Sequence, residues 1–169
     1  MAPLDVIEQP YQEEPRPLVQ DKGAVFCRDH TKDKLIHMAT TSELPAFLVE
    51  VELLKEKSDI IPNGNLPLHS SKGIELLNNE PECRVYRFTL QNDKNGGEAV
   101  TEISLELQTE AVLLALDGCN VEVANGSQEN SVNEVSMQVG DDIHLIAGNF
   151  RIKLVSSSVK TQFILAEVY

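Results

Sequence analysis

From Pro81 onward the chain is built of short runs with a period of two, each closed by a turn signal. Side chains of a strand point alternately to opposite faces, so this alternation describes sheets with one buried face. In the run CRVYRFTL, Arg84, Tyr86 and Phe88 share one phase and Val85, Arg87 and Thr89 the other. Residues 92–97 form a turn. Val100, Ile103, Leu105 and Leu107 then recur among Thr101, Glu102, Ser104, Glu106 and Gln108. Residues 111–116 are apolar throughout, as in a central strand buried on both faces. Asp117-Gly118 is expected to turn a hairpin into Cys119, Val121 and Val123. Residues 125–130 turn again, before Val135 and Met137. Gly140-Asp141 introduces Ile143, Leu145 and Ala147; Gly148-Asn149 is expected to turn into Phe150, Ile152 and Leu154; Phe163, Leu165 and Val168 follow. About eight short strands at such spacing predict an antiparallel β-sandwich or barrel. No strand–helix–strand alternation is present, which argues against a parallel nucleotide-binding sheet.

The upstream half reads differently. Residues 1–21 hold Pro3, Pro10, Pro15 and Pro17 among acids and glutamines, and are expected to form an extended, weakly ordered arm. Residues 22–80 are expected to form an α/β extension and linker. Within it, residues 23–27 and 34–38 are short apolar runs that suit strands. Residues 42–57 are expected to be a helix. Ser42 caps it, Pro45 falls in its first turn, and Leu44, Phe47, Leu48, Val51 and Leu54 make one apolar face. Phe47, Val49, Val51 and Leu53 also alternate, which leaves a strand as the competing reading. Residues 58–72, with two prolines and Asn63-Gly64-Asn65, read as a loop. The β-domain proper is then expected over 81–169.

Composition narrows the function classes. Of 169 residues, 41% are hydrophobic and 24% charged, the balance of a globular chain large enough to fold on its own core. The net charge is −13, with −6 in residues 1–80 and −7 in residues 81–169, so the acidity is a dispersed surface property. It argues against nucleic acid and against an anionic membrane as partners. Cys27, Cys83 and Cys119 are odd in number and lack CxxC spacing, so reduced thiols are expected. The first residues have neither a basic start nor an apolar run, and no stretch approaches a membrane span. A cytoplasmic location is the expectation. Asn125-Gly126-Ser127 matches a glycosylation triplet, but reads more simply as a turn.

Chemistry is sparsely signalled. His30, His37, His69 and His144 have no spacing that would place two rings on one metal, so no metal ligand is assigned. His144 is the one histidine of the β-domain. It lies out of phase with Ile143 and Leu145, which makes it either solvent-facing or, as the candidate site residue, part of a barrel mouth. No G-x-S-x-G elbow occurs. Cys119 has no basic neighbour in sequence to lower its pKa. Asp117, Asp141 and Asp142 sit where turns favour aspartate for backbone reasons. Asn95-Gly96-Gly97 lacks the lysine and helix of a phosphate loop. No catalytic or cofactor-binding residue is assigned, and no cofactor is expected.

Two segments together carry a family resemblance. Residues 111–118 (AVLLALDG) resemble the strand and turn of cupins, an apolar run ending in Glu-Gly or Asp-Gly. Residues 140–148 (GDDIHLIAG) resemble the second cupin segment, in the right order and at the right spacing. The chain resembles the C-terminal cupin domain of type I mannose-6-phosphate isomerases, and the likeness covers roughly half of it. It implies a mainly β, antiparallel, cupin-like jelly roll with a short α-helical N-terminal extension. It departs from the family in having Ile146 where a proline is usual, no Gln-x-His pair, and no closely spaced histidine pair. The resemblance therefore implies a non-catalytic relative that binds a small carbohydrate or a protein. Two alternatives stand beside it: an isomerase of hexose-phosphate metabolism that takes its zinc site from a partner, and an acidic, oligomerising β-sandwich that binds a partner protein.

Overall fold

A computed structural model describes residues 4–10, 16–20, 36–40, 66–92, 99–126, 132–156 and 160–169. The chain divides into two compact units, Met1–Glu50 and Val51–Tyr169. The first holds an antiparallel sheet of β1 (Leu4–Pro10), β2 (Arg16–Gln20) and β3 (Ile36–Thr40), in the order β2-β1-β3. Two of these strands fall in the proline-rich segment expected as an arm. Prolines are tolerated at strand edges and ends, and Pro10 and Pro17 stand at such places. β3 overlaps the apolar run at 34–38. The expected helix over 42–57 lies outside the described residues.

The second unit is mainly β and antiparallel. Its strands are β4 (Ile74–Glu80), β5 (Cys83–Leu90), β6 (Glu102–Leu107), β7 (Ala111–Ala115), β8 (Cys119–Asn125), β9 (Val132–Met137), β10 (Asp142–Leu145), β11 (Gly148–Ser156) and β12 (Thr161–Val168). They form a five-stranded sheet, β10-β7-β12-β5-β4, and a four-stranded sheet, β6-β11-β8-β9. β4 precedes Pro81, yet its pairing with β5 makes it part of the same sheet. The sequence hides it because its register shifts between Leu76 and Asn78, and the bulge breaks the alternation.

One expectation is corrected by this topology. β7 and β8 do not form a hairpin across Asp117-Gly118. β7 pairs with β10 and β12, whereas β8 pairs with β11 and β9. The turn carries the chain from one sheet to the other. It is tied to the start of β12, because Asp117 Oδ2 accepts from the Gln162 amide at 2.9 Å and the Leu116 amide donates to the Gln162 carbonyl at 2.9 Å. The break before Phe150 also moves: Gly148 already belongs to β11, and the turn falls at Ile146-Ala147.

The core is read directly from the registers. Across the five-stranded sheet, one inward row is Ala115–Phe163–Phe88–Ile74 and the next is Ile143–Leu113–Leu165–Tyr86, which ends at the exposed Leu76 of β4. The four-stranded sheet answers with Leu105–Phe150, Ile103–Ile152–Val123 and Leu154–Val121–Val135. Tyr86, Leu90, Leu113, Val121, Ile152, Phe163 and Leu165 are fully buried. Each such side chain contributes roughly 1.5–3 kcal/mol of burial free energy. Gly73 sets the entry to β4 with φ +87°, and an added Cβ there would lie 2.8 Å from the Thr89 carbonyl oxygen. Among the described residues no helix is long and apolar enough to cross a membrane.

Candidate functional site

The apolar rows end abruptly. The next inward row of the five-stranded sheet reads Leu145–Ala111–Glu167–Arg84–Asn79. Alternation forces this: Arg84 is two residues before Tyr86, and Glu167 two after Leu165, so both keep the core phase of their strands. Arg84 and Glu167 are each 3% exposed. Burying either charge costs several kcal/mol unless its partners restore what water supplied.

The partners are present. Tyr169 lies beside the pair, and its hydroxyl donates to Glu167 Oε2 at 2.7 Å. Arg84 Nη1 reaches that same hydroxyl at 3.5 Å, and the guanidinium lies over the Tyr169 ring at 5.4 Å from its centroid. Arg84 Nε donates to Asn79 Oδ1 at 2.9 Å. His69 Nε2 donates to Glu167 Oε1 at 2.8 Å, and its ring tilts against Tyr86 with centroids 5.1 Å apart. Arg84 Nη1 also donates to the carbonyls of Leu66 at 3.1 Å and Pro67 at 3.2 Å. The chain over 66–69 therefore lies across the polar end of the barrel.

Electrostatics follow from burial. Desolvation, and then the Glu167 carboxylate, push the Tyr86 hydroxyl above its ordinary pKa. Burial also raises that of Tyr169, reinforced by its hydrogen bond to Glu167. Both phenols therefore stay protonated and act as neutral hydrogen-bonding groups. Hydrogen bonding of the buried Tyr86 hydroxyl with the His69 backbone and with Arg84 offsets part of its rise.

The residues singled out from sequence lie elsewhere. His144, on edge strand β10, is 58% exposed, and its Nε2 is 3.5 Å from Glu110 Oε2. It sits on the outward phase, opposite Val112, and not among the groups lining the barrel end. Asp141 serves its turn by accepting from the Gln138 amide at 2.8 Å. Among the described residues, the fold brings His69 to the buried charges. Among the described residues no three of His, Cys, Asp and Glu converge as they would on a metal ion.

Cys119 faces the core, and burial, aided by Asp117, pushes its thiol up to about 11. Its thiolate fraction at neutral pH is thus about 100-fold below that of an ordinary cysteine, and thiolate is the reacting form. Native protein at pH 7.5 should leave Cys119 unmodified by iodoacetamide over a time that fully labels it in urea, as read by peptide mass spectrometry. Rapid labelling of the folded chain would show the thiol to be accessible.

No family model matches this sequence, and no curated protein does either. Among solved structures, a cupin domain from Bordetella pertussis Tohama I is similar at a TM-score of 0.44 and 8% identity, over 57% of this chain and 91% of that one. A cupin-2 domain protein from Shewanella frigidimarina gives 0.39 and 10%, over 60% and 85%. A candidate mannose-6-phosphate isomerase from Ralstonia eutropha JMP134 gives 0.41 and 13%, over 62% and 92%. Cupin domains are thus among the structural neighbours of this chain.

Proposed function

We propose that the chain is a non-catalytic, cupin-like binding domain that takes a small neutral polyhydroxylated ligand, a monosaccharide or polyol, at the polar end of its barrel. The observation that carries this reading is the last inward row, Glu167–Arg84–Asn79, which sets a buried charge of each sign beside the buried Tyr86 hydroxyl. An apolar row of the same shape would hold the fold as well or better, because buried ion pairs seldom add net stability. A polar row retained there is suited to recognition.

The chemistry of the row selects the ligand class. Arg84 donates, Glu167 accepts, and the tyrosine hydroxyls do either. One positive and one negative charge face each other across two strands. An anionic ligand would meet Glu167 and a cationic one Arg84, so a neutral molecule with interspersed donors and acceptors fits best.

The test is a two-dimensional amide NMR titration of the full chain with D-mannose and, separately, D-mannose 6-phosphate. Shifts confined to the ends of β5 and β12 and to residues 66–69, stronger for the neutral sugar, are expected. No shift at high millimolar sugar, or shifts elsewhere, would overturn the ligand assignment. The same sample, with and without zinc, is assayed for mannose 6-phosphate isomerisation. Turnover above buffer would overturn the non-catalytic reading.

A further inference from the structure

We infer that residues 66–69 are a built-in competitor for this site, and that the chain regulates its own binding end by holding this strap across it. The inference rests on the reading of the polar end as a binding site. The strap supplies the groups a ligand would bring. Its Leu66 and Pro67 carbonyls accept from Arg84 Nη1 as ligand oxygens would, and its His69 Nε2 occupies Glu167 Oε1 as a ligand hydroxyl would. The His69 ring covers Tyr86, and the His69 backbone bonds the Tyr86 hydroxyl, a contact a ligand would have to replace.

The strap is also built to leave. None of residues 66–70 belongs to a strand, so no sheet ladder holds it. Leu68 is 47% exposed and adds little burial. The strap is thus held chiefly by side chains of β5 and β12. Segments with few ladder bonds and little buried apolar surface open at low free energy while the core stays intact. Ligand affinity is then lowered by the fraction of molecules whose strap is closed, and loosening the strap restores it.

Hydrogen exchange and D-mannose binding are measured on the full chain and on His69→Ala, with His69→Gln as the variant that keeps a donor. In His69→Ala the amides of Leu66, Leu68 and His69 should exchange at least tenfold faster, those of Tyr86 and Phe163 unchanged, and D-mannose should bind about tenfold more tightly. His69→Gln should fall near the wild type in both. If His69→Ala does not fold, Pro67→Gly takes its place, since it loosens the strap by backbone entropy and leaves Glu167 paired. Unchanged exchange in the strap overturns the inference. So does faster exchange with equal or weaker D-mannose binding. Faster exchange with no binding by any of the proteins defeats the underlying assignment of the site, and the inference with it.

Discussion

Replacing Arg84 by alanine should destabilise the domain by about 3–5 kcal/mol, a large share of the roughly 5–15 kcal/mol that holds a typical domain together. The reason lies in what remains. Glu167 is 3% exposed and stands directly opposite Arg84 in the β5–β12 register. Without the guanidinium it is a buried carboxylate that, among the described residues, has His69 and Tyr169 to satisfy it. Asn79 and the Leu66 and Pro67 carbonyls lose their donor at the same time. Urea unfolding at pH 7, followed by circular dichroism, measures the effect. A double-mutant cycle with Glu167→Gln separates the charge from the packing. The double variant should be more stable than Arg84→Ala alone, because the stranded charge is gone. A single-variant loss below about 1 kcal/mol would show that the pair is effectively solvated.

That cluster also marks how far the sequence could be read. β5 was legible to the residue, and β8 and β11 closely, because apolar residues recur at alternate positions, while β7 was legible as an unbroken apolar run. Alternation does not say which strands pair, so Asp117-Gly118 looked like a hairpin although it crosses between sheets. β4 escaped because a bulge reset its phase. The polar row was half visible. Arg84 shares the phase of Tyr86 and Phe88, and Glu167 that of Phe163 and Leu165, so each is a charge on a core phase. His144, on an outward phase, carries no such signal. Nor does His69. It sits in what reads as a loop, and its contact with Glu167 spans 98 residues. Only the closing of the sheet brings the two together.

Phe163→Ala tests the other half of the barrel, and its expected cost is also about 3–5 kcal/mol. Phe163 is fully buried at the centre of β12, between Ala115 on β7 and Phe88 on β5. Its neighbour Ala115 has too small a side chain to collapse into the space left. Across the core, Ile152 and Val121 belong to the other sheet, and their ladders fix how far they can approach. The void therefore stays largely open, which places the cost high in the range for phenylalanine truncation. Ile164, the next residue, takes the opposite phase and is only partly buried. Ile164→Ala should cost distinctly less, near 1–2 kcal/mol, and that contrast is the useful part of the experiment. Equal losses at the two positions in chemical denaturation would mean that both faces of β12 are packed alike. A larger loss at Phe163, with the D-mannose titration of the polar end unchanged in its pattern, would show that the apolar rows carry the fold and leave recognition to the row where they stop.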